Sequence, residues 1–176
     1  MQLFNPLNQR ERHFIRENLK DTLWIGVIGI TILSLSRLLF PISQVSSVSM
    51  EPTVKEDSKA LINNLAFQVN APQRGDIVIF DSGYRTGLLE REKVRFIKRI
   101  VGLPGETIEI RDGQVYIDGK RLDEHYTSPS TVHLAPTHIP DKHYFLLGDN
   151  REESYDSRVF GAIHENKIEG RALLFF

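Results

Sequence analysis

The sequence predicts a mainly β protein, with an N-terminal single transmembrane helix followed by an all-β domain of antiparallel sheets. Three observations predict it. One apolar run, Leu23 to Phe40, is long enough to cross a bilayer. Beyond it, short runs of alternating apolar and polar residues recur between turn-forming residues. Two of the boundaries are Asp-Gly pairs, Asp112-Gly113 and Asp118-Gly119, the residues that tight hairpins favour. With 176 residues in all, the chain has room for one folded domain behind the anchor.

Residues 1–22 read as a charged tail, helical from Glu11 to Lys20. The run that follows, LWIGVIGITILSLSRLLF, carries a single charge, Arg37. As a helix rising ~1.5 Å per residue it measures ~27 Å, about the thickness of a hydrocarbon core, and Arg37 can snorkel to the interface. It has no polar face to turn toward water, which argues against a core helix of a soluble protein. A cleaved signal peptide is a rival reading, because Val45 and Ser47 are small enough to precede a cut. The long polar segment in front and the length of the run argue against it.

Arg10, Arg12, Arg16 and Lys20 precede the run, whereas the twenty residues after it hold only Lys55 and Lys59. The positive-inside bias leaves the N-terminus in the cytoplasm. The expected organisation is a cytoplasmic tail 1–22, an anchor 23–40 in membrane lipid, and a β-rich domain 41–176 on the extracytoplasmic side, periplasmic or lumenal. With 17 basic and 20 acidic residues, residues 41–176 are a solvated domain.

Pro41 to Pro52 reads as an extended linker. Strands are expected at LINNLAF (61–67), DIVIF (76–80), KVRFIKRIV (93–101), TIEI (107–110), QVYI (114–117), YFLL (144–147) and RALLFF (171–176). The 121–142 segment, with three prolines and three of the six histidines, reads as a long surface loop.

A formal charge of −1 points to no nucleic-acid partner, and the absence of cysteine excludes thiolate chemistry. No Walker loop, dinucleotide fingerprint or zinc-protease helix is present, so no cofactor and no metal are expected. His133, His138 and His143 recur every five residues, a spacing that suits neither a helical nor a strand zinc site. Arg74-Gly75-Asp76 leads straight into a strand and reads as structure, not as an adhesion motif.

Chemistry concentrates in two places. In KVRFIKRIV, alternation puts Val94, Phe96, Lys98 and Ile100 on one face, and Arg95, Ile97, Arg99 and Val101 on the other. Lys98 is the lone charge on an apolar face. It reads either as an edge lysine snorkelling to water or as an amine held in a dry pocket. In the second case desolvation must bring it from ~10.4 to about 7 or 8 for service as a general base, which takes roughly 4 kcal/mol and lies within reach of burial alone. Arg95 and Arg99 point away and contribute little. The second place is SSVSMEPT, Ser46 to Thr53. Pro52 restricts Glu51 to extended geometry, leaving a serine free to project into a groove. Alone, the octapeptide reads equally as a polar linker.

Four segments change that reading. Ser47-Val48-Ser49-Met50-Glu51-Pro52-Thr53, Arg74-Gly75-Asp76-Ile77-Val78-Ile79-Phe80, the stretch from Lys98-Arg99-Ile100-Val101-Gly102 to Glu106, and the stretch from Gly148-Asp149-Asn150-Arg151 to Arg158 resemble, in order, the signature boxes of the type I signal peptidases. The resemblance covers everything but the tail. It implies a signal-peptidase-like β fold and a membrane-bound serine endopeptidase acting on preprotein signal peptides, cleaving after small residues at the first and third positions before the bond. It further implies Ser49 as nucleophile, Lys98 as general base, and Ser47 with the Ser49 backbone N–H as oxyanion hole. Ser154 matches the residue that orients the lysine, Asp156 and Arg158 a supporting charged pair, and Met50 and Pro52 the wall beside the nucleophile. Glu152-Glu153 departs from the family's frequent Asp-Asn and is expected to alter a loop surface, leaving the dyad alone. The alternatives are a Ser-Lys protease that cleaves itself or another membrane protein, and an anchored β domain that only binds.

Overall fold

The computed structural model describes residues 9–87 and 92–176; residues 1–8 of the expected tail lie outside the described residues. Two units result, a helical one and a β-rich one, Leu39–Phe176. The first is one continuous helix, α1 (Gln9–Leu39). Its segment Glu17–Leu39, 23 residues of mean hydropathy 1.8, is the one described helix long and apolar enough to cross a membrane. Trp24, Ile25, Ile30 and Leu33 along it are all exposed.

Among its described residues, the second unit holds eleven strands in two antiparallel sheets. The larger is ordered β1 (Ile42–Gln44), β2 (Lys59–Asn63), β11 (Ile168–Phe175), β3 (Ile77–Thr86), β4 (Glu92–Gly102), β9 (His143–Leu147) and β10 (Ile163–His164). The smaller is ordered β7 (Lys120–Arg121), β6 (Gln114–Ile117), β5 (Thr107–Arg111) and β8 (Leu134–His138). Both Asp-Gly pairs make the expected hairpins. Asp112 and Gly113 (φ 48° and 76°) join β5 to β6, and Asp118 and Gly119 (φ 49° and 77°) join β6 to β7, the left-handed pairs of type I′ turns.

Several elements depart from the sequence reading, each for a local reason. LINNLAF is strand only to Asn63. Asn63 Oδ1 then accepts the Leu65 N–H at 2.9 Å, closing an Asx-type turn that leads into the short helix α2 (Ala66–Val69). The 121–142 segment is not all loop, since β8 lies within it. Pro136 in β8 is tolerated because the strand sits at the sheet edge, paired only with β5. The Pro41–Pro52 linker contributes β1 and a 3₁₀ turn, Val48–Met50.

Three apolar clusters hold the unit together. One joins the sheets through Val101, Ile108, Ile110, Val115, Phe145 and Leu147. A second gathers Val78, Phe80, Ile100 and Leu146. The third packs Val45, Met50, Val54, Ala60, Ile62 and Ile79 beneath the 3₁₀ turn. Each buried aliphatic or aromatic side chain contributes about 1.5–3 kcal/mol, so the turn that carries Ser49 rests on a packed floor.

The pairing of β4 positions the site. β3 pairs with β4 from Glu92 to Arg99, but β9 pairs on the other side only from Arg99 to Gly102. Among the described residues, the second edge of β4 from Glu92 to Lys98 has no strand partner.

Candidate active site

A groove of about 430 Å³ runs along this unpaired edge. Val94, Phe96 and Ile97 of β4 line it, together with the segment Ser43 to Ser47. Ala60, Ile62 and Ile79 form part of its lining, and Ser49 and Lys98 both open onto it. Those two residues, the sequence's nucleophile and base candidates, are otherwise buried, 2% and 4% exposed. Lys98 Nζ donates to Ser49 Oγ at 2.6 Å and to the Ile97 carbonyl at 3.0 Å. The Phe96 ring centroid lies 5.7 Å from Nζ.

Burial lowers the Lys98 ammonium from 10.5 to about 8. Asp156 and Asp149 pull the other way, and Arg158 adds a small lowering. The cation that assists is therefore Arg158; Arg95 and Arg99, as alternation predicted, contribute nothing resolvable. An amine of this kind is partly neutral at physiological pH and sits in contact with a hydroxyl. That combination can deprotonate a serine.

Ser49 is fixed from both sides. In front, Ser47 caps the 3₁₀ turn, its Oγ accepting the Ser49 N–H at 3.2 Å. The two groups expected to form an oxyanion hole are thus bonded to each other here, while the Ser47 hydroxyl proton remains free to donate into the groove. Behind, the Ser49 carbonyl accepts the Asn150 N–H at 3.1 Å, and Asn150 Nδ2 donates to the Val48 carbonyl at 3.4 Å. Gly148 leaves the space for this approach: a Cβ there would lie 2.2 Å from Ser154 Oγ and 2.5 Å from the Ser49 carbonyl oxygen.

The 148–158 segment is braced by two arginine–carboxylate forks. Asp156, fully buried, caps helix α3 (Ser157–Phe160) and accepts Arg158 Nε at 2.7 Å, Arg158 Nη2 at 2.8 Å and the Gly148 N–H at 3.0 Å. Asp149 takes Arg99 Nε at 2.8 Å and Nη2 at 2.6 Å, and the Arg99 guanidinium stacks 3.8 Å from the Tyr126 ring centroid. The sequence reading singled out the first fork and missed the second. The signal was present, because Arg99 is a second charge on the otherwise apolar Ile97–Val101 face.

The remaining expected residues fall as follows. Ser154 Oγ is buried with no hydrogen-bond partner among the described residues, and the hydrogen bonds of Lys98 go to Ser49 and Ile97. Met50 is fully buried in the cluster beneath the turn, and Pro52 is exposed. Neither lines the groove. Among the described residues no cluster of three or more His, Cys, Asp or Glu side chains suits a metal.

The signal peptidase model, peptidase S26, matches residues 18–176. A protein of Synechocystis sp. named probable signal peptidase I-2 is 39% identical over 135 residues, 75% of this chain and 61% of its own length, so the chain spans less than two thirds of that relative. Signal peptidase I of Bacillus licheniformis is 31% identical over 176 residues, 90% of this chain and 91% of its own length. A solved signal peptidase I from Enterococcus faecalis V583 aligns with 58% of this chain and 97% of that chain at 36% identity, with a TM-score of 0.46. A family match that runs from within the apolar helix to the last residue means that this chain belongs to the signal peptidase family, peptidase S26.

Proposed function

We propose that this chain is a membrane-bound serine endopeptidase that removes N-terminal signal peptides from exported preproteins, with Ser49 as nucleophile and Lys98 as general base. The observation that carries the reading is the 2.6 Å contact between two buried groups at the floor of an open groove. Neutral Lys98 takes the Ser49 proton as Oγ attacks the scissile carbonyl, and the resulting ammonium returns a proton to the leaving amine. The Ser47 hydroxyl and the Ser49 N–H stabilise the oxyanion once the substrate oxygen replaces their mutual hydrogen bond. Water, activated by the same amine, then resolves the acyl-enzyme. Asp156 and Arg158 hold the surroundings of the lysine, Ser154 packs against Gly148 behind the nucleophile's turn, and Met50 and Pro52 act from behind by fixing the turn.

The substrate is an extended segment added to the unpaired edge of β4, where main-chain hydrogen bonds give affinity and alternate side chains face the lining. The lining residues Ala60, Ile62 and Ile79 support an apolar side chain beside the bond, and a small one is what the family resemblance implies. Residues 23–40 anchor the protein in lipid, the 1–22 tail is cytoplasmic, and 41–176 is the extracytoplasmic catalytic domain. The counts of Lys and Arg flanking the apolar run support this orientation. The deciding test is cleavage of a purified preprotein by the detergent-solubilised full chain. Ser49→Ala and Lys98→Ala should each abolish it while melting like folded protein; cleavage at the wild-type rate by both variants overturns the assignment.

A further inference from the structure

The adjacent carboxylates Glu152 and Glu153 have different surroundings. Glu152 Oε1 accepts the Thr131 N–H at 2.8 Å and is tied to the 121–142 connection. Ser154 points inward against Gly148. Glu153 and Tyr155 line the groove that holds Ser49 and Lys98. Besides Lys98, the charged residues on that lining are Arg95 and Glu153. Arg95 is already paired with Glu169. Glu153 is exposed and has no ion-pair partner among the described residues. Nor does it act on the base: the charges that shift Lys98 are Asp156, Asp149 and Arg158.

We infer that Glu153 sets a charge preference on the substrate: a preprotein with a basic or neutral residue where its chain passes Glu153 is cleaved faster than one with an acidic residue there. The inference rests on the peptidase reading of the groove. Two unit charges ~6 Å apart across a solvated groove, at an effective dielectric constant of about 60, change a rate about fivefold. Substituting Lys for Gln in the substrate gains that factor, and substituting Glu loses it. The preference is electrostatic, so salt weakens it.

The test uses the detergent-solubilised full chain and synthetic peptides that span one cleavage site. Lys, Gln or Glu is placed at each of three positions on either side of the bond in turn. In the wild type, one position or two neighbouring ones should show kcat/KM rising about fivefold from Glu to Gln and again from Gln to Lys, and the spread should shrink in ~0.5 M salt. The spread should collapse in Glu153→Gln and reverse in Glu153→Lys. A spread in Glu153→Gln equal to the wild type at every position overturns the inference. Ser49→Ala is run alongside. Undiminished cleavage by Ser49→Ala defeats the peptidase reading itself, whereas Ser49-dependent cleavage with a charge spread indifferent to residue 153 defeats only the charge preference.

Discussion

Replacing Lys98 by Met should abolish activity and, at neutral pH, stabilise the fold. Burial holds the Lys98 ammonium at about 8, against an ordinary value of 10.5. Below pH 8 the folded and unfolded chains both carry the proton, and the folded state bears the full penalty of a buried charge. Between pH 8 and 10.5 the unfolded chain binds more protons, so stability rises with pH; above 10.5 the penalty is gone. At 1.36 kcal/mol per pKa unit the depression amounts to about 3 kcal/mol. Methionine keeps the apolar stem but gives up the hydrogen bonds to Ser49 and to the Ile97 carbonyl, about 1 kcal/mol each. The net gain at pH 7 is about 1 kcal/mol, which for a chain of this size raises Tm by ~2–4 °C. The assay is a pair of thermal melts, wild type and Lys98→Met, followed by near-ultraviolet circular dichroism at pH 7 and pH 11. The Tm advantage should vanish or reverse at the higher pH. A variant less stable than wild type at pH 7, or equally favoured at both pH values, refutes a desolvated amine. The same titration governs the wild-type acylation rate, which should fall tenfold per pH unit below about 8. A rate that rises only above pH 9 contradicts the reasoning.

Ser47→Ala removes both the acceptor of the Ser49 N–H and the proposed donor to the oxyanion. Stability should drop by ~0.5–2 kcal/mol in denaturant melts, and kcat by ~10²- to 10³-fold with KM little changed. Gly148→Ala places a Cβ 2.5 Å from the Ser49 carbonyl oxygen and so displaces the nucleophile's backbone. Steady-state kinetics should show kcat reduced ~10²-fold in a protein that still melts cooperatively; an unchanged kcat counts against the tight fit described.

Local signals and long-range ones differed in how far they could be read. The two type I′ hairpins were legible because Asp-Gly states its own backbone conformation. Strand β4 was legible because alternation needs no partner to be seen. Strand β8 was not, since its Pro136 is a strand breaker unless an edge position excuses it, and edge positions belong to the sheet. Likewise Ser49 and Lys98 each read as ordinary until the family resemblance put them together. Nothing in Ser47-Val48-Ser49 states that the turn lands 2.6 Å from an amine 49 residues away. The burial of Met50 and the inward position of Ser154 follow from Gly148 and the 3₁₀ turn meeting, a tertiary event with no periodic trace. The different surroundings of Glu152 and Glu153 are set by a turn, which leaves no periodic trace in the sequence.

The two carboxylates that act on the lysine pose a conflict that the structure resolves with arginine. Asp156 and Asp149 are needed for geometry: one holds the Gly148 N–H and caps α3, the other anchors Arg99 beside the nucleophile's loop. Both also favour the charged form of Lys98, the form that cannot act as a base. Unpaired, a buried carboxylate near an amine would form the ion pair itself and hold the ammonium in place. Each is instead gripped by a guanidinium through two nitrogens, which satisfies the oxygens and spreads the negative charge toward an always-protonated partner. With the carboxylates so occupied, desolvation remains the largest influence on Lys98. The forks therefore let one short segment both brace Ser49 and leave the amine free to lose its proton, and lysine in place of either arginine, a single point charge without the fork, would weaken both effects together.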